Sequence, residues 1–339
     1  MKAMVLSGPE VLAPGRVPPP QLDPGEVLVR VTHSGVCGTD YKIFTGAIPA
    51  KYPLVMGHEI AGEVADHAGS AALRRGERVV VDPELYCGAC FHCRIGQTHL
   101  CPNGVLIGRD RDGGFAEYVA APASHVFPLP PSIELRAAPL VQVLTTCLHA
   151  QRQVAIFPGE SVVVLGLGVT GQLHVQLAKA RGASPIVGVT RSPARRALAE
   201  RLGADLTVPS DHGAADRVRE ATDGRGADVV IETTGVVGSL AAAIEMARPG
   251  ARVLLFGIIT ARDGSLPFYD IYFKELRLIG ARVAKSEDYP TALALVDRGQ
   301  IALDPLISDV MPLDALGSAI GLLGTDAGTR MKIILDHAG

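Results

Sequence analysis

The chain has 339 residues and a formal net charge of -3; at about 150 residues per domain, that length suggests two domains. Hydrophobic residues make up 47%, enough for two cores, and the slightly acidic balance argues against nucleic-acid or membrane-surface binding, which needs a basic face. No apolar run approaches the roughly 20 residues of a membrane span, and the stretch from Met1 to Pro9 lacks a signal-peptide apolar region, so a cytoplasmic protein is expected.

To about residue 146 the chain reads as short strands and turns, with strand-like runs at 27–31 and 78–81 punctuated by Pro18-Pro19-Pro20 and Asp23-Pro24-Gly25. Gly35-Val36-Cys37-Gly38-Thr39-Asp40 follows the first run, and Gly57-His58-Glu59 comes later. Each fragment is weak alone, since a single cysteine is usually a small buried hydrophobe. Cys87, Cys90, Cys93 and Cys101 then give C-x2-C-x2-C-x7-C. Four thiolates can close a tetrahedral shell around Zn²⁺ and leave no open position, which makes such a site structural. The plainer alternative is four unrelated cysteines. A zinc ribbon that contacts nucleic acid is disfavoured, because the loop carries only Arg94 and His92 as basic residues.

Near residue 147 the texture changes. Apolar runs at 162–165, 186–189, 206–208, 228–231, 253–256 and 276–279 alternate with helix-like stretches such as 171–181 and 193–202. Runs that are apolar throughout suit parallel strands covered on both faces, and the alternation predicts a doubly wound α/β sheet. Gly166-Leu167-Gly168-Val169-Thr170-Gly171 stands between a strand and a helix, as a dinucleotide-binding G-x-G-x-x-G should. Gly166 allows the tight turn, Gly168 the approach of the pyrophosphate, and Gly171 close helix–strand packing. After the next strand an NAD enzyme would place an acid on the ribose 2′-hydroxyl. Here the stretch is Thr190-Arg191-Ser192-Pro193. Thr190 and Ser192 can donate to a 2′-phosphate and Arg191 can pair with it, so NADP(H) is expected over NAD(H). Ser192 is also a plausible helix cap before Pro193.

GVCGTD, GHEIAGEV, the four-cysteine loop, DGGFAEYV, the glycine fingerprint, and the closing LDPLISDVMPLDALGSAIGLL and MKIIL occur in one order. In that order the chain resembles the zinc-containing medium-chain alcohol and polyol dehydrogenases along essentially its whole length. The resemblance implies a GroES-like β-rich catalytic domain, residues 1–146 and 286–339, and a Rossmann domain, residues 147–285. It implies that Cys37 and His58 bind a catalytic zinc, that Thr39 takes the alcohol proton, and that Asp40 orients His58. Two zincs per chain follow, with reversible hydride transfer between an alcohol, secondary or polyhydroxylated, and NADP⁺. It places the loop Glu232-Thr233-Thr234-Gly235, with Thr234, and Gly257 near the nicotinamide end and Lys332 on the cofactor pyrophosphate. The partner is a small-molecule alcohol or carbonyl, with no nucleic acid and no membrane, and the assembly a homodimer or homotetramer.

Two positions depart from the family. The matching third zinc ligand is normally Cys, Asp or Glu, and here it is Gln142. We therefore expect Cys37, His58 and Glu59 to hold the ion, with Gln142 near or exchanging; a Gln142 that only hydrogen-bonds is the alternative. Lys42 stands where many relatives carry a histidine, and is a poor base near pH 7 unless its pKa is depressed. Gln142 also motivates a second reading, a zinc-free NADPH-dependent reductase of activated double bonds or quinones that keeps only the structural zinc. A non-enzymatic structural protein is a third. Cys147 and His149 are expected on a helix leading into the second domain.

Overall fold

The computed structural model describes residues 1–69, 73–325 and 328–338. The chain divides into two compact units: Met1–Thr145 with Lys285–Gly299 and Leu303–Gly339, and Thr146–Ala284 with Gln300–Ala302. In the first unit the strand Glu26–Val36 is central. Its residues alternate, with Val27, Val29 and Val31 buried while Arg30 points out to Glu63, the two-residue period of a pleated strand with one face on a core. Glu59–His67 and Lys332–Asp336 pair with it, both antiparallel. The registers set Glu59 and Ile334 on either side of Gly35. The C-terminal strand therefore starts beside the Cys37 segment.

The second unit carries a six-stranded parallel sheet in the order Leu206–Val208, Ile186–Val189, Val162–Leu165, Ala227–Glu232, Ala247–Leu255, Arg277–Gly280. The order reverses direction at Val162–Leu165, as in a doubly wound sheet. Val163, Val187, Val230 and Val253 are fully buried, which is why these runs read as continuously apolar. One strand differs from its sequence pattern. The run expected at 253–256 begins at Ala247 and ends at Leu255. Ala247 pairs with Ala227 and Arg252 with Val229, so Pro249-Gly250, with Gly250 at φ 73°, bulges out of the ladder and hides the strand's true start. Leu140–Val154 is one helix that contains Gln142, Cys147 and His149, all buried. Among the described residues no helix is long and apolar enough to cross a membrane.

Candidate metal and cofactor sites

The four-cysteine segment is closed at its base by a two-strand ladder, Glu84–Leu85 against Val105–Leu106. The sulfurs gather at the tip. Separations are 4.0 Å for Cys87–Cys93, 3.4 Å for Cys90–Cys93, 3.8 Å for Cys90–Cys101 and 3.5 Å for Cys87–Cys101. Sulfurs about 2.3 Å from one zinc in a tetrahedron lie about 3.8 Å apart, so this set fits the ion. Amides of Ala89 and Cys90 hold the Cys87 thiol down to about 6. Desolvation and the neighbouring sulfurs push Cys93 up to about 12. Four thiolates so close need a cation between them to be ionised together.

In the other cluster the donor atoms of Cys37, His58 and Glu59 lie within 4.8 Å of one another. Cys37 is the N-cap of the helix Gly38–Phe44, and its backbone N–H donates to Asp40 Oδ2 at 2.8 Å. The other oxygen of this fully buried carboxylate lies 3.2 Å from His58 Nδ1. Asp40 thus caps the helix and sets its second oxygen against Nδ1, an arrangement that would leave Nε2 to face a metal. Burial alone would lower the His58 pKa, but Asp40 and Cys37 outweigh it and hold it well above its ordinary value. A pocket that favours a proton there favours a metal cation for the same reason. Thr39 and Lys42 lie half-buried on the same short helix.

Glu59 sits opposite Gly35, and a Cβ at Gly35 would lie 1.9 Å from Glu59 Oε2. The glycine makes room for the carboxylate to fold across the strand. Lys332, expected at the cofactor pyrophosphate, is engaged by Glu59. Its Nζ lies 2.7 Å from both Glu59 oxygens and 3.3 Å from the Val36 carbonyl, and the pair is buried. The reason is register: its strand pairs at Ile333 with Val36, which carries the preceding residue to the metal cluster. Burial opposes the Lys332 charge, but Glu59 and Cys37 hold its pKa above the usual value. Neither Gly35 nor this ion pair was found from the sequence; the glycine just before Val36-Cys37 was the available signal. On the helix Leu140–Val154, the backbone carbonyl of Gln142 accepts the Thr145 hydroxyl at 2.6 Å. Cys147 is an inert buried thiol, its pKa pushed up by burial.

In the second unit Gly166 has φ 87°, and a Cβ at Gly171 would lie 1.9 Å from the Gly166 carbonyl oxygen. Gly168 is the N-cap of the helix Val169–Ala180, with no side-chain cap, and a Cβ there would meet nothing within 4 Å. An uncapped helix start facing open space fits a pyrophosphate, which would take the free N–H groups of Val169 and Thr170. At the next strand end Ser192 accepts from Arg195 N, so it does cap the helix Pro193–Leu202. Arg196 braces the loop by donating to the carbonyls of Thr190 and Arg191, while the Arg191 side chain is exposed. Further along the sheet edge, Glu232, Thr233, Thr234 and Gly257 sit together. The Thr233 hydroxyl lies 2.8 Å from Leu165 O and 2.9 Å from Gly166 O, tying this loop to the glycine turn.

Two families match. The alcohol dehydrogenase GroES-like domain covers residues 23–131, and the zinc-binding dehydrogenase family covers residues 169–298. A 2-dehydro-3-deoxy-L-galactonate 5-dehydrogenase of Pseudoalteromonas atlantica is 36% identical over 298 residues, 87% of each chain. The chain belongs to the zinc-containing medium-chain alcohol and polyol dehydrogenases. An L-threonine 3-dehydrogenase of Pyrococcus abyssi is also 36% identical, over 85% of each chain. Among solved structures, a Sinorhizobium meliloti 1021 protein with NADP bound, provisionally assigned as a zinc-binding dehydrogenase, superposes with a TM-score of 0.92 at 33% identity over 99% of each chain. This member of the family has the GroES-like and Rossmann-type folds that the sequence suggested, and is a zinc alcohol-type oxidoreductase.

Proposed function

We propose that this dehydrogenase interconverts a secondary or polyhydroxylated alcohol and its carbonyl with NADP(H), using one catalytic and one structural zinc per chain. The observation that carries the reading is the convergence of Cys37, His58 and Glu59 donor atoms within 4.8 Å, backed by buried Asp40. When bound, zinc supplies Lewis acidity toward a substrate oxygen, and the nicotinamide supplies hydride exchange with the adjacent carbon. Cys37 and His58 hold the ion, with Glu59 or Gln142 completing the set. Asp40 fixes the His58 ring. The Thr39 hydroxyl accepts the alcohol proton and passes it to water, with Lys42 beside it on the helix. Cys87, Cys90, Cys93 and Cys101 hold the structural zinc, and a reducing, cytoplasmic setting keeps such thiols available.

Relatives named for a sugar acid, for threonine and, in a 28% identical Escherichia coli structure, for galactitol 1-phosphate support a polar, hydroxylated substrate. The preference for NADP(H) rests on Thr190, Arg191 and Ser192 and the lack of an acid there. Arg191→Ala should raise KM for NADP⁺ roughly tenfold, about 1.4 kcal/mol, and leave KM for NAD⁺ unchanged; an equal rise for both would remove the preference. For the assembly we favour a homo-oligomer. The edge strand Arg277–Gly280 and the exposed Phe268, Tyr269, Tyr272 and Phe273 offer a face for a second copy.

The decisive experiment is zinc per chain by elemental analysis, on the wild type and Cys37→Ser. Two zincs falling to one support the alcohol dehydrogenase reading. One zinc, unchanged in the variant, puts forward the zinc-free reductase of activated double bonds or quinones. That second reading draws on two features, the engagement of both Glu59 oxygens by Lys332 and the neutral Gln142.

A further inference from the structure

The end of the strand Ala227–Glu232 holds a charged group that the proposed chemistry leaves unused. Glu232 is fully buried. Its Oε1 accepts from Thr234 N at 2.6 Å, from the Thr234 hydroxyl, and from Gly235 N at 3.1 Å; Oε2 lies 3.2 Å from Gly235 N. Every contact is a donor, as suits an ionised carboxylate, which only accepts. All these donors are neutral, and among the described residues no Lys or Arg pairs with it. The same residue's carbonyl accepts from Phe256 N at 3.0 Å and Gly257 N at 2.9 Å, so one glutamate ties two strand ends together. A Cβ at Gly257 would lie 2.8 Å from Glu232 Oε2 and 2.1 Å from Gly235 N. Nothing larger than glycine fits over the carboxylate, and it stays close to the sheet's carboxyl edge.

Topology says what passes over that edge. In a doubly wound sheet a dinucleotide straddles the point where the strand order reverses. Here its pyrophosphate belongs at Gly166–Gly171 and its adenosine ribose at Thr190–Ser192. The other half, with the nicotinamide, then lies over the ends of Ala227–Glu232 and Ala247–Leu255. The oxidised ring carries a positive charge and the reduced ring none. A fixed, cation-free carboxylate beneath it distinguishes the two forms.

We propose that Glu232 sets the relative affinity of this protein for oxidised over reduced cofactor, through the field of its buried carboxylate. The proposal rests on the reading of the second unit as a nicotinamide site. Glu232→Gln keeps the shape and removes the charge. Unit charges about 10 Å apart, in surroundings with an effective dielectric constant of about 25 to 50, correspond to roughly three- to tenfold in affinity. The test measures dissociation constants for NADP⁺ and NADPH by titration calorimetry on the full chain, for the wild type, Glu232→Gln and Glu232→Asp. The expected result is a three- to tenfold loss for NADP⁺ relative to NADPH in Glu232→Gln. Glu232→Asp keeps the charge and should retain the wild-type ratio even where both affinities fall. Equal weakening of both forms by Glu232→Gln, or a ratio that moves alike in both variants, would assign Glu232 a purely structural role and overturn the proposal. Should Glu232→Gln fail to fold, Glu232→Thr also removes the charge: a wild-type ratio there overturns the proposal, and a three- to tenfold relative loss for NADP⁺ upholds it. A wild type that binds neither form would fail earlier, at the nicotinamide reading itself.

Discussion

The two candidate metal-binding clusters are built in opposite ways. The four-cysteine site takes every donor from one segment, 87–101, clipped shut by the Glu84–Leu85 and Val105–Leu106 ladder. The Cys37 site draws its donors from a helix cap and a neighbouring strand, and a third element, the C-terminal strand, brings Lys332 against it. The first is chemically uniform and closed; the second mixes a thiolate, an imidazole, a carboxylate and an ammonium. A local, uniform site can hold its own loop together once an ion is present. A dispersed, mixed site depends on the fold to assemble it and is left with an open side for chemistry. Each also has a buried aspartate behind it: Asp40 joins Cys37 N to His58, and Asp82 joins Glu84 N to the Ser286 hydroxyl.

The largest expected effects come from removing one sulfur from each. Cys37→Ser should lower turnover by roughly a thousandfold or more, since the catalytic ion and its charge stabilisation go together. Its melting temperature should stay within a few degrees of wild type. Cys101→Ser should do the reverse to stability, because metal binding to such a loop is coupled to its folding; a fall of roughly 10 °C or more is expected. Equal falls in both variants would erase the distinction between a folding site and a chemical one.

Lys332→Met sharpens the comparison with a smaller effect. Breaking a buried ion pair by removing one partner typically costs about 3–5 kcal/mol, since the other charge is left uncompensated. In this site the stranded carboxylate has somewhere to turn. If Glu59 reaches the metal, the destabilisation of Lys332→Met, measured by urea unfolding, should be clearly smaller with saturating zinc than with a chelator present. The same cost under both conditions would mean that Glu59 never serves the ion and that Gln142 or no third protein ligand does.

What could be read in advance follows the same division. The cysteine loop was legible because its four cysteines fall within one stretch, 87–101, and the glycine fingerprint because strand, turn and helix are contiguous at 162–180. The parallel sheet was legible because Val163, Val187 and Val230 are covered on both sides and read as unbroken apolar runs. The Lys332–Glu59 pair was not legible because it is decided by the register of Ile333 with Val36, a pairing between distant segments that no local pattern carries. The hydrogen bonding of the Glu232 carboxylate was hidden for a related reason. Its donors are backbone amides two and three residues ahead, which any sequence has, and only the folded turn aims them at one oxygen. The start of the strand Ala247–Leu255 was hidden because its bulge at Pro249-Gly250 looks like a loop.

The smallest effect concerns the aspartates behind the two sites. Asp40 faces an imidazole, whereas Asp82 faces other acids. Burial pushes Asp82 up to about 7, the hydrogen bonds from Ser286 and Glu84 N pull the other way, and the charges of Glu84 and Asp288 add to the rise. The folded-state value lies above the unfolded carboxylate value of about 3.9. Protonation therefore favours the folded state. The contribution of Asp82 to stability is fully present below about pH 4 and declines as pH rises through about 7, beyond which it stays flat. Asp82→Asn keeps a polar group of similar shape and cannot ionise. Unfolding free energies at pH 5, 6, 7 and 8, with zinc saturating, should show a decline in the wild type that is shallower in the variant. The four-cysteine hairpin, which starts two residues after Asp82, should follow that decline, and hydrogen exchange at Glu84 and Leu85 would register it. A wild-type slope that Asp82→Asn leaves untouched would place the titrating group elsewhere, and the two aspartates would then differ in what they touch but not in what they do.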